Sequence, residues 1–285
     1  MESLKILGID LGGTNVRAGL VCGENLLQVV TDTIPGQGTV GQILDSIFTA
    51  IDKIMEPGIA GIGIGVPSVV DIERGIVYDV QNIPSWKEVH LKHILEERYR
   101  APVYVNNDAN CFALGEKYYG KGQGCHSLVG LILGTGFAAG LILDGRLYSG
   151  LHCGAGEIGM LPYRDAVYES YCSGQFFRDN FGIDGAQAAR LAEAGKASAR
   201  DMFVEYGRHL GEAIKMVLYA YDPQMIVLGG SIRKSFAFYK DAMWASVRSF
   251  AYANSLSGLR IEVSELEHVA VLGAAALYLD RQRTA

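Results

Sequence analysis

One aspartate stands where an apolar strand gives way to a helix, a position at which a carboxylate can serve as a catalytic base. Asp108 follows the extended run Pro102–Val105. After it, Ala109, Phe112, Ala113 and Glu116 recur at helical spacing. The same position suits a side chain that caps the helix, because aspartate accepts the free backbone N–H groups of the first turn. Asp108 is therefore a candidate general base and a candidate cap, and the two roles can coexist.

Two glycine-rich segments share a pattern that favours phosphate binding. Each has strand-like flanks around a tip of glycine and threonine, at Gly12–Thr14 in the first and Gly134–Gly136 in the second. Glycine lets backbone N–H groups approach an anion, and the threonine hydroxyl adds a donor. Aligning the segments also matches Gly19 with Gly140, which indicates an internal duplication. Each segment taken singly is also compatible with an ordinary hairpin turn.

The two copies differ at one residue that carries charge. Asp10 in the first copy aligns with Ile132 in the second, so only one tip brings a carboxylate. A single Mg²⁺ on a nucleotide requires such an asymmetry, since carboxylate oxygens are favoured ligands of Mg²⁺. Asp10 is therefore a candidate metal–phosphate residue, with a turn residue at a strand end as the alternative.

Length and composition indicate a globular protein of two α/β domains. The chain has 285 residues, 49% of them hydrophobic, which is enough for two cores of ordinary size. The net charge of −6, without a run of Lys and Arg, disfavours nucleic acid as a partner. Met1–Lys5 shows no signal sequence, and glycines interrupt the long uncharged stretch Leu128–Leu143. We therefore expect a cytoplasmic protein that does not span a membrane.

Periodicity predicts the elements that surround these motifs. A buried strand is expected at Ile59–Val66, and a helix over Trp86–Arg98. A long amphipathic helix is expected from Met202 to Tyr221, ended by Asp222 and Pro223. The chain therefore reads as α/β in its first half and as mainly helical after the second glycine turn.

Six motifs in order along the chain resemble the ROK family of repressors, open reading frames and sugar kinases. They are Asp10–Arg17, Gly63–Pro67, Asn106–Asn110, Leu133–Gly136, Gly154–Gly159 and Ile226–Gly230. The resemblance implies an actin-like ATPase (ribonuclease H-like) fold with two α/β domains flanking a cleft. It implies a small N-terminal domain of residues 1–107 plus 271–285 and a large C-terminal domain of residues 108–270. It also implies a homodimer that transfers the γ-phosphoryl group of ATP to a sugar hydroxyl.

The resemblance implies roles for particular residues of this chain. Asp108 would accept the proton of the attacking hydroxyl, and Asp10 would face Mg²⁺ on the nucleotide. The residues expected to hold the phosphates and the adenosine are Gly12, Gly13, Thr14, Gly134, Thr135, Gly136, Gly229 and Gly230. Those expected to bond the sugar hydroxyls are Asn82, Asn107, Asp108, Glu157 and Glu169.

One segment departs from the family pattern. ROK kinases usually carry a histidine after the Gly-Glu-Ile-Gly motif and then a cysteine cluster, which together bind a structural zinc. Here the histidine position is Met160, and Leu161–Glu169 contains no cysteine. A thioether is a poor ligand for zinc, so we expect no zinc site. The missing histidine also removes one expected sugar contact, which leaves the substrate less determined than the reaction.

The expected function is phosphorylation of a hexose at its 6-hydroxyl with ATP and Mg²⁺. A glucose- or allose-type aldohexose is favoured over N-acetylmannosamine or N-acetylglucosamine. The alternative is a non-catalytic sugar sensor, because the family includes repressors. Those carry a helix-turn-helix before the kinase-like region, whereas only Met1–Lys5 precede the first predicted strand. An actin-like ATPase with another purpose is disfavoured by the sugar-site residues Asn107, Glu157 and Glu169.

Overall fold

The computed structural model of the protein describes residues 4–80 and 82–282. The strands are β1 (Lys5–Leu11), β2 (Asn15–Cys22), β3 (Asn25–Thr33), β4 (Ile59–Val66), β5 (Val70–Asp71), β6 (Ile76–Tyr78), β7 (Glu88–Val89), β8 (Val103–Asn107), β9 (Leu128–Leu133), β10 (Phe137–Leu143), β11 (Arg146–Leu147), β12 (Pro162–Tyr163), β13 (Ala166–Val167), β14 (Met225–Gly229) and β15 (Arg260–Val263). The α-helices are α1 (Val40–Asp52), α2 (Leu91–Tyr99), α3 (Asp108–Tyr119), α4 (Tyr168–Cys172), α5 (Gln175–Phe181), α6 (Gly185–Glu193), α7 (Ala197–Tyr221), α8 (Phe236–Val247), α9 (Ala253–Leu256) and α10 (Val269–Gln282). Short 3₁₀ turns lie at Ile158–Met160 and Ile232–Ser235.

The two large sheets have the same strand order. One runs β3-β2-β1-β4-β8, and the other runs β11-β10-β9-β14-β15. In the first sheet β4 lies parallel between β1 and β8, and in the second β14 lies parallel between β9 and β15. The outer hairpin strands β2–β3 and β10–β11 are antiparallel. The matching topology supports the predicted duplication, with a glycine turn after β1 in one copy and after β9 in the other.

The chain divides into two compact units. The first comprises the chain up to Gly124, Gly140–Ala155 and the chain from Glu265 onward. The second comprises Cys125–Ala139 and Gly156–Ser264. A domain boundary near residue 107 stays a prediction from the sequence.

The core of the first unit is built on β1 and β4. The side chains of Leu7, Ile9, Ile62 and Ile64 are fully buried there, as expected for parallel strands covered on both faces. Helix α10 packs against β1, β4 and α3. Its small residues Gly273–Ala276 are all buried, which lets the helix approach the neighbouring backbones closely.

The second unit is organised by α7. Its buried positions, among them Phe203, Tyr206, Leu210 and Ile214, follow helical periodicity, and the helix packs against α8. The helix ends at Asp222, which has a left-handed φ of 41°, immediately before Pro223. The predicted amphipathic helix and its end are confirmed. Within residues 4–80 and 82–282, no helix has both the length and the apolar character needed to span a bilayer.

The helix predicted over Trp86–Arg98 is wrong at its beginning. Trp86 lies in a tight turn, in which its backbone N–H donates to the carbonyl of Ile83. Helix α2 begins only at Leu91. The indole ring is fully buried in the core of the first unit. Burial of this ring therefore overrides the local helical pattern at these residues.

Candidate active site

The carboxyl ends of three parallel strands bring candidate residues of the first unit to one edge of the sheet. Asp10 on β1 lies in register with Gly65 on β4, and Gly65 lies in register with Asn106 on β8. Helix α3 begins two residues after Asn106 with Asp108. A Cβ atom on Gly65 would stand 3.0 Å from Sγ of Cys111 and 3.8 Å from Cα of Asp108. Burial raises the pKa of the Cys111 thiol, and the negative charges of Asp108 and Asp10 raise it further. The two candidate carboxylates therefore lie at the same end of the sheet.

Asn107, and not Asp108, is the N-cap of α3. The Asn107 side-chain oxygen accepts the backbone N–H of Ala109 at 2.8 Å, and its amide donates to the carbonyl of Ser68 at 3.3 Å. Asp108 is the first residue of the helix, and its carboxylate accepts the Ala109 N–H at 2.8 Å. A side-chain amide has four hydrogen-bonding positions, so Asn107 keeps capacity for a ligand.

Asn106 fixes the strand end from which Asp108 emerges. Its side chain is 3% exposed, and its oxygen accepts the backbone N–H of Asn107 and the amide of Asn110. Its own amide donates to the hydroxyl of Ser149 at 3.3 Å, and the Cys153 thiol donates to its oxygen. No separate role for Asn106 is predicted from the sequence, although the spacing of Asn106 and Asn110, on a strand end and a helix, indicates this contact.

The first glycine turn lies directly against Asn82. Thr14 is exposed at the tip, and the N–H of Gly12 donates to the carbonyl of Asn15 at 2.9 Å. A Cβ atom on Gly13 would stand 2.8 Å from the Cβ of Asn82, so only glycine allows this approach. The structure thus brings one predicted sugar residue and one predicted phosphate turn together within the first unit.

Asp10 forms an ion pair with Arg17 across the β1–β2 ladder. The carboxylate and the guanidinium are 3.1 Å apart, and the Asp10 side chain is 16% exposed. Burial raises the pKa of the Asp10 carboxyl, and the Arg17 charge opposes this effect only in part. A desolvated carboxylate with spare oxygen lone pairs is a suitable ligand for a hard cation such as Mg²⁺.

The second glycine turn is supported by two other segments of the second unit. The N–H of Gly174 donates to the carbonyl of Gly134 at 2.8 Å. Gly230 has a φ of 77° and lies against the backbone of Leu133, where a Cβ atom would collide. Thr135 is exposed at the tip, as Thr14 is in the first copy. The predicted phosphate turn and the predicted adenosine segment are therefore neighbours.

Glu157 and Glu169 form the acidic part of the second unit. The Glu169 carboxylate accepts the backbone N–H of Phe137 at 3.0 Å and the amide of Gln175 at 2.9 Å. Glu157 is exposed, yet the protein around it removes part of its water shell. This desolvation raises the pKa of Glu157, and the negative charge of Glu169 raises it further. Both carboxylates have oxygens suited to accept sugar hydroxyls.

Glu157 is a predicted sugar residue, and its raised pKa leads us to expect that sugar affinity decreases at low pH. As the pH falls, Glu157 takes up a proton at a higher pH than an ordinary glutamate and loses an acceptor. In Glu169→Gln this neighbouring charge is gone and the pKa of Glu157 is raised less. The decrease in sugar affinity on acidification should therefore occur at a lower pH than in the wild-type protein. Sugar dissociation constants measured across pH by calorimetry test this shift, with Glu193→Gln as a control. An unchanged pH dependence in Glu169→Gln would contradict the charge coupling.

The segment at the predicted missing zinc site is an aromatic hairpin. Strands β12 and β13 pair with each other, and the ring of Tyr163 stacks on that of Tyr168 with centroids 4.4 Å apart. Met160 is 62% exposed. Among residues 4–80 and 82–282, the structure shows no group of three or more His, Cys, Asp or Glu side chains placed to hold a metal.

We predict that the purified protein carries no stoichiometric zinc and that its turnover requires Mg²⁺ with ATP. The reason is that Met160 and the hairpin after it supply neither thiolate nor imidazole ligands. Elemental analysis after dialysis against a chelator measures the zinc content. Retention of about one zinc per chain would show that other residues hold the metal.

The predicted site residues fall into two sets, one on each unit. The first set is Asp10, Gly12, Gly13, Thr14, Asn82, Asn107 and Asp108. The second set is Gly134, Thr135, Gly136, Glu157, Glu169, Gly229 and Gly230. Within the first set Asp10 and Asp108 share one sheet edge and Asn82 lies on the first turn. Within the second set Glu169 and Gly230 both lie against the second turn.

Known proteins match this chain along nearly its whole length. The glucokinase of Thermotoga maritima is 28% identical, and the match covers 99% of both proteins. The N-acetyl-D-glucosamine kinase of Aliivibrio salmonicida is 32% identical, over 83% of this chain and 87% of that kinase. A xylose repressor of Caldicellulosiruptor bescii is 27% identical, over 96% of this chain and 78% of the repressor.

The fold is likewise shared with solved structures. A ROK family glucokinase from Streptomyces griseus, in complex with glucose and AMPPNP, superposes with a TM-score of 0.81 at 26% identity, covering 98% of this chain and 99% of that one. The α/β architecture is thus that of the actin-like ATPase fold. The ROK family model matches residues 6–281, and the chain therefore belongs to the ROK family.

Proposed function

We propose that the protein is a sugar kinase that transfers the γ-phosphoryl group of ATP to a hexose hydroxyl. The observation that carries this proposal is the position of Asp108, at the start of α3 and at the same sheet edge as Asp10. Asn107 supplies the side-chain cap of α3, so a cap does not by itself explain an aspartate at 108. The glucokinase and N-acetylglucosamine kinase relatives support the same reaction class.

Asp108 is the proposed general base. Its carboxylate accepts a hydrogen bond from the attacking hydroxyl and takes the proton as the new P–O bond forms. The bond between the γ-phosphorus and the β–γ bridging oxygen breaks, and ADP leaves with the electron pair. Asn106 and Asn107 hold the strand end and the helix start, which keeps the base in place during this step.

The glycine turns are the proposed phosphate contacts. The backbone N–H groups of Gly13 and Gly136 and the hydroxyls of Thr14 and Thr135 are donors of the kind that bind phosphate oxygens. The N–H groups of Gly12 and Gly134 donate within the turns, to the carbonyls of Asn15 and Gly136, so these two glycines would shape the phosphate site. Asp10 is the proposed residue facing Mg²⁺, because its carboxylate is desolvated and lies next to the first turn. Mg²⁺ held by Asp10 would neutralise the charge that develops on the phosphate oxygens during transfer. Gly229 and Gly230 would lie along the adenosine.

The proposed substrate is a hexose phosphorylated at its 6-hydroxyl. Asn82, Asn107, Glu157 and Glu169 provide amide and carboxylate groups suited to neighbouring hydroxyls of a polyol. We place glucose or allose ahead of N-acetylmannosamine and N-acetylglucosamine, with modest discrimination, because Met160 removes one polar partner of the sugar. A cytoplasmic homodimer is part of the same proposal and rests on the family resemblance.

A coupled assay of ADP release with and without a panel of hexoses tests the proposal. A kinase shows turnover that depends on the hexose, and kcat/KM compared across the sugars ranks the substrates. Phosphorus–proton NMR of the product locates the phosphate. Phosphate on the anomeric oxygen, or turnover only with a non-sugar alcohol, would overturn the proposed pose and substrate class.

A sugar sensor is the second candidate, because a xylose repressor is among the relatives. The same assay separates the two functions. A sensor binds a sugar, as calorimetry would show, but releases no ADP. Sugar-independent ADP release would instead indicate a plain ATPase.

A further inference from the structure

Glu169 contacts the second glycine turn, although the sequence suggests only a sugar contact. Its Oε2 atom accepts the N–H of Phe137, the residue that directly follows Gly134–Gly136. A Cβ atom on Gly136 would stand 2.8 Å from the same oxygen, so the carboxylate lies against the backbone of the turn itself. A change in the position of this carboxylate therefore alters the geometry of the turn.

The segment that carries Glu169 holds both ends of the turn. At one end the N–H of Gly174 donates to the carbonyl of Gly134 at 2.8 Å. At the other end Glu169 accepts from Phe137 at 3.0 Å. The Oε1 atom of Glu169 accepts the amide of Gln175 at 2.9 Å, which fixes the carboxylate plane. The turn is thus bracketed by residues 169–175 on both sides.

Glu169 also borders the proposed sugar residue Glu157. A Cβ atom on Gly159 would stand 3.4 Å from the Cβ of Glu169, which places Glu169 beside the Gly156–Gly159 segment that carries Glu157. The charge of Glu169 contributes to the raised pKa of Glu157. Glu169 is only half-buried, and each oxygen of an ionised carboxylate has a second lone pair that a hydroxyl could use.

An aromatic cluster holds the short helix that carries Glu169. Helix α4 has five residues and no side-chain N-cap, so its position depends on packing. The Tyr168 ring stacks on Tyr163, whose hydroxyl forms a 3.1 Å hydrogen bond with Nδ1 of His209 on α7. The Tyr206 hydroxyl, also on α7, donates to the carbonyl of Cys172 at 2.8 Å. These contacts fix α4 on both sides. A displacement of the Glu169 side chain is therefore expected to shift the second glycine turn more than it shifts α4.

We propose that Glu169 is a positioning residue that couples sugar binding to nucleotide binding. The inference rests on the proposed function and adds a second role for one of its residues. A sugar hydroxyl that bonds Glu169 holds the carboxylate where it accepts the Phe137 N–H, and this preorganises the turn for a phosphate. Because coupling between binding sites is reciprocal, a bound nucleotide tightens the sugar by the same factor.

Calorimetry with AMPPNP and Mg²⁺ measures the coupling. The nucleotide dissociation constant is determined without sugar and with saturating sugar, and the ratio of the two is the coupling factor. We expect about fivefold or more for the wild-type protein. In Glu169→Ala the factor should fall to about one, and the sugar itself should bind more weakly because one of its contacts is lost. Glu193→Ala, which changes a glutamate of α6 in the same unit, is the matched control and should keep the wild-type factor.

Gln175→Met provides a second variant that leaves the carboxylate in place. It removes the amide partner of Oε1 and loosens Glu169, so the factor should fall below that of the wild-type protein. This variant decides the question if Glu169→Ala does not fold. A wild-type factor of one, or an unchanged factor in either variant, overturns the coupling role while leaving a sugar kinase intact. A wild-type protein that binds neither ligand overturns the proposed function and this inference together.

Discussion

Asp108→Asn is expected to lower kcat by at least about 10²-fold while the protein folds normally. The amide has nearly the same size as the carboxylate but does not take a proton from the attacking hydroxyl. The side-chain cap of α3 is supplied by Asn107, so the helix keeps its N-terminal hydrogen bond in the variant. Steady-state turnover with the best hexose measures the activity, and thermal unfolding measures the fold.

Asp184→Asn is the matched control for this prediction. Asp184 caps α6, where its side chain accepts the N–H of Gln187, and asparagine is an equally good cap. The same chemical change at a helix start outside the proposed site should leave both kcat and Tm unaltered. Wild-type turnover in Asp108→Asn would remove this residue from the mechanism.

The features that the sequence predicts correctly are those that depend on local geometry. The two glycine turns are predicted because glycine and threonine between two apolar runs are typical of a hairpin tip. The end of α7 at Asp222 is predicted because the proline at 223 disfavours a helical conformation of the residue before it. The matching strand orders then follow, since both copies repeat one folding unit.

The features that the sequence misses depend on contacts distant along the chain. Trp86 does not begin a helix, because its ring is buried in the core of the first unit and its backbone lies in a turn. The hairpin of β12 and β13 is stabilised by the bond between Tyr163 and His209, 46 residues apart. No local pattern indicates such a contact, and the sequence alone shows only that the expected zinc ligands are missing.

The candidate site shows the same division. The sequence predicts Asp108 as a site residue from its place between a strand and a helix, and in the structure Asp108 is the first residue of α3. The contact of Glu169 with Phe137 joins residues 32 positions apart, and nothing in the motif itself indicates it. The residue type determines which hydrogen bonds a side chain can make. The fold determines which partner it makes them with.

Asp10→Asn is expected to lower kcat/KM for Mg·ATP by at least about 10²-fold, because the amide is a weak ligand for Mg²⁺. The same variant should unfold at an unchanged or higher Tm when ligand-free at neutral pH. The folded-state pKa of Asp10 is raised, so the ionised carboxylate is less favourable in the folded than in the unfolded chain. That cost is present at neutral pH and is relieved as the pH falls through the folded-state pKa, and asparagine removes it.

Asp32→Asn is the matched control, since Asp32 is also a strand carboxylate in an ion pair, 2.5 Å from the amine of Lys53. It lies on β3, outside the proposed site, and kcat/KM should stay at the wild-type value. If Asp10 serves the reaction at a cost to the folded state, Asp10→Asn should lose activity while its stability is unchanged or increased. Asp10→Asn with normal activity, or with a Tm several degrees lower, would instead make Asp10 a structural partner of Arg17.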